Sequence, residues 1–135
     1  MDLVYQDKYQ KIELDKQHSI MYFYTYQTIK ELSESQYIDI VIVRGAEIIK
    51  KYKPKNLLVE IQDFSLVLSQ KAENQMQQIF IEAYKEAEVQ KLAILLPSNF
   101  LAQRTVFQVV EVDLEYFFER GYFINEKKAI EWLTS

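Results

Sequence analysis

His18 is the only histidine in this 135-residue chain, and there is no cysteine. A zinc site of the usual kind needs several such ligands, so none is assigned. His18 lies in a polar run, Asp15-Lys16-Gln17-His18, that reads as an exposed hairpin turn. A Ser–His–Asp triad would have to be built on that turn. The two glycines, Gly45 and Gly121, stand apart from each other, so no phosphate-binding glycine loop or nucleophile elbow is present. Glu60 and Asp63 flank the end of an apolar segment. Strand ends are where α/β folds place function, and paired carboxylates can divide acid and base roles. Solvated loop acids give the plainer account of them. Glu111, Asp113, Glu115 and Glu119 form an acidic stretch, read either as a solvated face or as a docking surface for a basic partner. The residues therefore assign no catalytic side chain, metal or cofactor, and a non-enzymatic protein is expected.

Tyr22, Tyr24 and Tyr26 alternate with Met21, Phe23 and Thr25. In a strand the two sets point to opposite faces. One face is expected in the core, the other to carry a tyrosine stripe. Cross-strand aromatic pairing explains such a stripe, and tyrosine is also enriched at contact surfaces. The stripe is thus a candidate protein interface, with a homodimer through the sheet as one form of it.

The elements that must position these residues follow from local patterning. Leu3, Tyr5, the stretch Lys8 to Leu14, and Ile20 to Tyr26 read as strands of an antiparallel N-terminal meander. Ser33-Glu34-Ser35-Gln36 has the form of a capping box. The apolar residues Ile38, Val41, Ile42, Gly45, Ile49 and Tyr52 then recur at helical spacing. Lys50, Lys51 and Lys53 suit a helix C-terminus, and Pro54 ends it. A buried strand over Tyr37 to Val43 is the competing reading. Asn56 to Gln62 and Lys91 to Leu96 read as core strands. Between them, Ser69 caps a helix running to about Glu88, with Ala72, Met76, Ile79, Phe80, Ala83 and Ala87 on its buried face. Two nearly continuous apolar strands around a helix form the pattern of a parallel sheet covered on both faces. Ser98 to Phe118 is read as helical, with Ala102, Val106, Val109 and Val110 at helical spacing, while the β-branched pairs Thr105-Val106 and Val109-Val110 leave a strand over 105–112 as the alternative. Gly121 is expected to break the chain before a short strand, Tyr122 to Ile124. Asn125 then caps a last helix, Glu126 to Leu133, burying Ala129, Ile130 and Leu133.

Bulk properties narrow the class further. The chain is 49% hydrophobic and 27% charged, which suits one globular domain spanning residues 1–135. Its formal net charge of −4 disfavours non-specific nucleic-acid binding, which needs a basic surface. No apolar run approaches the roughly 20 residues that span a bilayer, so membrane insertion is not expected. The missing cysteines and the absence of a signal-like start fit a cytoplasmic location.

Two segments carry a family resemblance. One is Lys51-Tyr52-Lys53-Pro54-Lys55-Asn56-Leu57-Leu58-Val59-Glu60, a helix end and proline running into an apolar strand with an acid near its end. The other is Tyr122-Phe123-Ile124-Asn125-Glu126-Lys127-Lys128-Ala129-Ile130-Glu131-Trp132-Leu133, an aromatic pair, a capping Asn and an Ala-x-x-Trp-Leu helix. Together with the element order, they resemble the short single-domain proteins of the STAS-like (STAS/SEC14-like) group, relatives of sporulation anti-sigma-factor antagonists. The resemblance implies an α/β fold: a mixed sheet of four to six strands, the N-terminal meander and three to four packed helices. It implies a regulatory or protein-interaction module with a protein partner. The alternative it offers is binding of a small apolar, lipid-like ligand. It also places Ser69 near the phosphoserine of phosphorylatable members. The chain has Leu68-Ser69-Gln70-Lys71 there, without the family's Asp and Gly. Ser69 is therefore read first as a helix N-cap and second as a phosphorylation site.

Overall fold

The described strands form one six-stranded mixed sheet in strict chain order. A computed structural model describes residues 1–60, 68–96 and 118–135. The strands are β1 (Asp2–Gln6), β2 (Gln10–Asp15), β3 (Ile20–Thr25), β4 (Asn56–Glu60), β5 (Lys91–Leu95) and β6 (Glu119–Phe123). Neighbours in sequence are neighbours in space, from β1 to β6. β1, β2 and β3 pair antiparallel, whereas β3, β4, β5 and β6 pair parallel. The meander thus becomes a parallel sheet at β3. Each parallel step needs a crossover connection.

The first crossover is a helix in three parts. α1 (Glu34–Tyr37) passes into a π-helical turn (Ile38–Ile42) and then into α2 (Val43–Tyr52). The capping box at its start is formed, with Ser33 Oγ accepting the Gln36 amide and Gln36 Oε1 accepting the Ser33 amide. Tyr37 to Val43 is therefore helical and not a strand. Within it the Val43 N–H bonds to the Ile38 carbonyl, one residue further back than in an α-helix. The second crossover contains α3 (Gln70–Ala87), capped by Ser69. Both helices stop at a left-handed residue, Lys53 and Glu88. The last helix, α4 (Glu126–Leu133), is capped by Asn125. Residues 61–67, with Asp63 among them, and the helix expected over Ser98 to Phe118 lie outside the described residues, apart from Phe118, which is buried.

Strand alternation feeds two cores. Ile12, Leu14, Met21, Phe23, Leu57, Leu92 and Ile94 point to the larger one, under α1–α2 and α3. Ile20, Tyr22, Leu58, Ala93 and Leu95 point to a smaller one, closed by Ala129 and Leu133 of α4. The parallel strands are covered on both faces, which is why they read as unbroken apolar runs. On α3 the buried set includes the expected Ala72, Met76, Ala83 and Ala87, and also Gln77 and Tyr84. On α2, Ala46 and Ile48 are buried, while Tyr52 in the last turn is exposed.

Gly121 corrects the expected break. It lies inside β6, paired with Ala93. A Cβ built there would stand 2.7 Å from Phe123 Cε2 and 3.3 Å from Trp132 Cη2. The glycine leaves room for the Phe123 ring of the same strand, with Trp132 of α4 close behind it. Gly121→Ala is expected to lower stability by about 1–3 kcal/mol through overpacking, measured by urea unfolding. The same exchange at Gly45, where the nearest atom is 3.5 Å away, should cost clearly less.

Candidate functional site

The carboxyl ends of β3 and β4 meet the start of α4, and this corner gathers most of the residues singled out in the sequence. Tyr22 and Tyr24 point to the α4 side of the sheet. Lys11 and Tyr24 are paired across β2 and β3, as are Glu13 and Tyr22, and Glu60 lies opposite Tyr24 on β4. The Tyr24 hydroxyl donates to Glu126 Oε1 at 3.2 Å. The Lys11 ammonium lies 4.6 Å from the Tyr24 ring centre and 3.6 Å from Glu13 Oε1. A cation over a tyrosine face is favourable by about 0.5–1 kcal/mol when exposed. The rings of Tyr22 and Tyr24 stack with centres 6.4 Å apart.

These surroundings keep Tyr24 a neutral phenol. Burial pushes its hydroxyl up strongly, and the negative charges of Glu126, Glu13 and Glu60 add to the effect. Tyr22 is raised by burial first, then by Asp15, Glu126 and Glu13. A phenol held this way donates a hydrogen bond and is a poor nucleophile.

The tyrosine stripe is divided by its own packing. Tyr22 is only 3% exposed and belongs to the smaller core, so it does not reach a partner. Tyr24 and Tyr26 are half-buried and reach the surface. The Tyr26 hydroxyl accepts from Gln6 Nε2 at 3.0 Å. On the same sheet face Leu3, opposite Glu13 on β2, is 56% exposed. Glu60 sits within this corner. Its proposed companion Asp63 is not among the described residues.

Ser69 is far from that corner, at the start of α3. Its Oγ accepts the Ala72 amide at 3.2 Å, which is the expected cap. Sequence reasoning missed its partner. The Glu34 carboxylate accepts both the Ser69 hydroxyl, at 2.8 Å, and the Ser69 backbone N–H. An anion near a helix N-terminus is favourable, and Glu34 supplies one from α1. A phosphoryl group on Ser69 would meet that carboxylate and expel it. The two residues are 35 positions apart in the chain, so no local pattern could announce the contact.

His18 occupies the β2–β3 turn, its ring nitrogen 2.8 Å from Asp15 Oδ2. Its backbone amide also donates to Asp15 Oδ1. Among the described residues no group of three or more His, Asp or Glu side chains could hold a metal ion. A shallow depression of about 340 Å³ runs along α4, lined by Glu126, Lys127, Ile130, Glu131 and Thr134. No helix among the described residues is long and apolar enough to cross a membrane.

Three outcomes follow from this geometry. Ser69→Ala should cost about 1 kcal/mol in urea unfolding, the usual worth of a lost cap, and Glu34→Gln should cost less because the capping hydroxyl remains. Tyr24→Phe should cost about 0.5–1.5 kcal/mol, the net worth of one hydrogen bond. Hydrogen bonding from His18 holds the Asp15 carboxyl below its usual range. The stability this contributes is present above the unfolded carboxylate pKa, near 4, and is lost as pH falls through the lower folded value. In His18→Ala, stability measured between pH 2 and 5 should therefore fall less steeply with acidification than in the native chain. No family model, no curated protein and no solved structure matches the chain.

Proposed function

We propose that the chain is a non-enzymatic protein-interaction module of STAS-like type, and that the meander half of the α4-side sheet face meets its partner. The observation that carries this reading is the pair Tyr24 and Tyr26, half-buried and each fixed by a hydrogen bond, beside the exposed Leu3. Rings held in place lose little entropy on binding, which is why tyrosines serve as interface anchors. The mixed sheet with helices packed on it is consistent with the family resemblance carried by Lys51 to Glu60 and Tyr122 to Leu133. A regulatory role and a protein partner are what that resemblance adds. The competing lipid-like carrier reading needs a closed apolar cavity that retains its ligand.

A photoreactive benzoylphenylalanine placed at position 26 tests the reading in the cells that make the protein. Its control is the same residue at position 47, on the exposed side of α2. A cross-linked species of one discrete mass from position 26 and none from position 47 is the expected result. No adduct, or the same adducts from both positions, would reject the interface. A native mass a few hundred daltons above the 16.2 kDa chain would instead move the function to a ligand carrier.

A further inference from the structure

The helix that leads from β3 to β4 is interrupted by a π-turn whose sequence does not demand one. Ile38-Asp39-Ile40-Val41-Ile42 contains no proline or glycine and no other helix breaker. π-helical turns are rare and are less favourable than the α-helix around them, so something outside the helix must hold this one. Gln10, the first residue of β2, reaches into it. It is a polar side chain only 3% exposed, packed on the α2 side of the sheet. Its Nε2 donates to the Val41 carbonyl at 3.1 Å, inside the π-turn. A buried amide is costly unless its donor is met, and this bond ties Gln10 to the register that presents Val41.

The β1–β2 turn that ends at Gln10 is itself rigid. Asp7 Oδ1 accepts the amides of Tyr9 and Gln10 at 2.7 and 2.9 Å, and Asp7 Oδ2 accepts the Tyr5 hydroxyl at 2.6 Å. The guanidinium of Arg44, at the start of α2, lies 5.5 Å from the Tyr5 ring centre. The turn therefore grips the helix at two places, Val41 and Arg44. On the other side of the π-turn, α1 carries Glu34 to Ser69.

We infer that the π-turn is a register device: Gln10 holds one extra residue in the helix, and that register positions Glu34 on Ser69. If the turn relaxed to an α-helix while α2 stayed fixed by its buried face, α1 would rotate by about 100° and shift by about 1.5 Å. Glu34 would leave Ser69, and the start of α3 would lose its second anchor. Gln10 is thus a positioning residue that couples the β1–β2 turn to the N-terminus of α3 through a discrete change of helical register.

The test is nuclear magnetic resonance of the full chain. In the native protein a through-hydrogen-bond coupling should link the Val43 amide to the Ile38 carbonyl. In Gln10→Met, which keeps the length and removes the donor, that coupling should pass to the Asp39 carbonyl. The Ser69 amide should then exchange with solvent about tenfold faster. Deletion of Ile40, an exposed residue of the turn, should give an uninterrupted α-helix with both ends in place. Added to Gln10→Met, this deletion should restore slow exchange at Ser69, a rescue that a merely weakened core would not show. The device is overturned if Gln10→Met keeps the Ile38 coupling, if Ser69 exchange does not change, or if the deletion fails to restore it. Should Gln10→Met not fold, relaxation dispersion on the native chain decides: a shared exchange rate at Val43 and Ser69 supports the device, and its absence overturns it.

Discussion

The pairing of β3 with β4 is the constraint on which the rest of the sheet depends. β3 is antiparallel to one neighbour and parallel to the other, so an error in its register would propagate both ways. Ser19 sets that register just before the strand begins. It adopts a left-handed conformation, φ 53°, which few non-glycine residues take without a reason. In that conformation its carbonyl accepts the Asn56 amide and its Oγ accepts the Lys55 amide, both at 3.0 Å. Ile20 is thereby placed opposite Asn56. A slip of one residue would send Met21 and Phe23 to the α4 side and Tyr22 to the other. Two cores of different size would each receive the wrong side chains.

Given that register, the described helical units are fixed by polar contacts at their ends as much as by their apolar faces. α4 has its start tied to β3 through Tyr24 and Glu126. Its last carbonyls accept from Lys91 of β5, at the Trp132 carbonyl, and from Asn56 of β4, at the Leu133 carbonyl. A cation at a helix C-terminus also complements the dipole. α3 is held at its start by Glu34 and Ser69, and its body is joined to α2 by the Lys50–Glu82 ion pair at 3.0 Å. That pair is exposed and adds little, whereas the Ser69 contacts close groups the helix would otherwise leave open.

What could be read from the sequence was local in origin. Ser33 with Gln36, Ser69 and Asn125 announce helix starts because a cap and its amide lie three residues apart. The apolar runs Leu57–Leu58 and Leu92–Leu95 announce buried parallel strands because successive apolar residues put apolar side chains on both faces of the sheet. Most of the features that were missed depend on distant parts of the chain. Gly121 looks like a break until the Phe123 ring and, behind it, Trp132 of α4 crowd it. Tyr22 looks like part of a surface stripe until α4 covers that face. The Ser69–Glu34 contact and the Gln10–Val41 bond join segments more than thirty residues apart. The π-turn leaves no mark in its own residues, since the group that holds it lies on β2. The tyrosine corner was legible in part. The alternation named Tyr24 and Tyr26, but Lys11, Glu13 and Glu126 joined them only through strand register and the docking of α4.

The single tryptophan gives this architecture a built-in reporter. Trp132 rides on α4, its ring centre 5.5 Å from that of Phe123, with the Lys91 ammonium 5.3 Å from the indole centre. It packs on the smaller core. Its emission therefore reads the seating of the last helix on the sheet, while among the described residues most of the helix signal in the far-ultraviolet comes from α2 and α3 on the opposite face. The two optical signals watch different sides of one sheet, so any unfolding in which the sides separate would be visible as curves that do not superimpose.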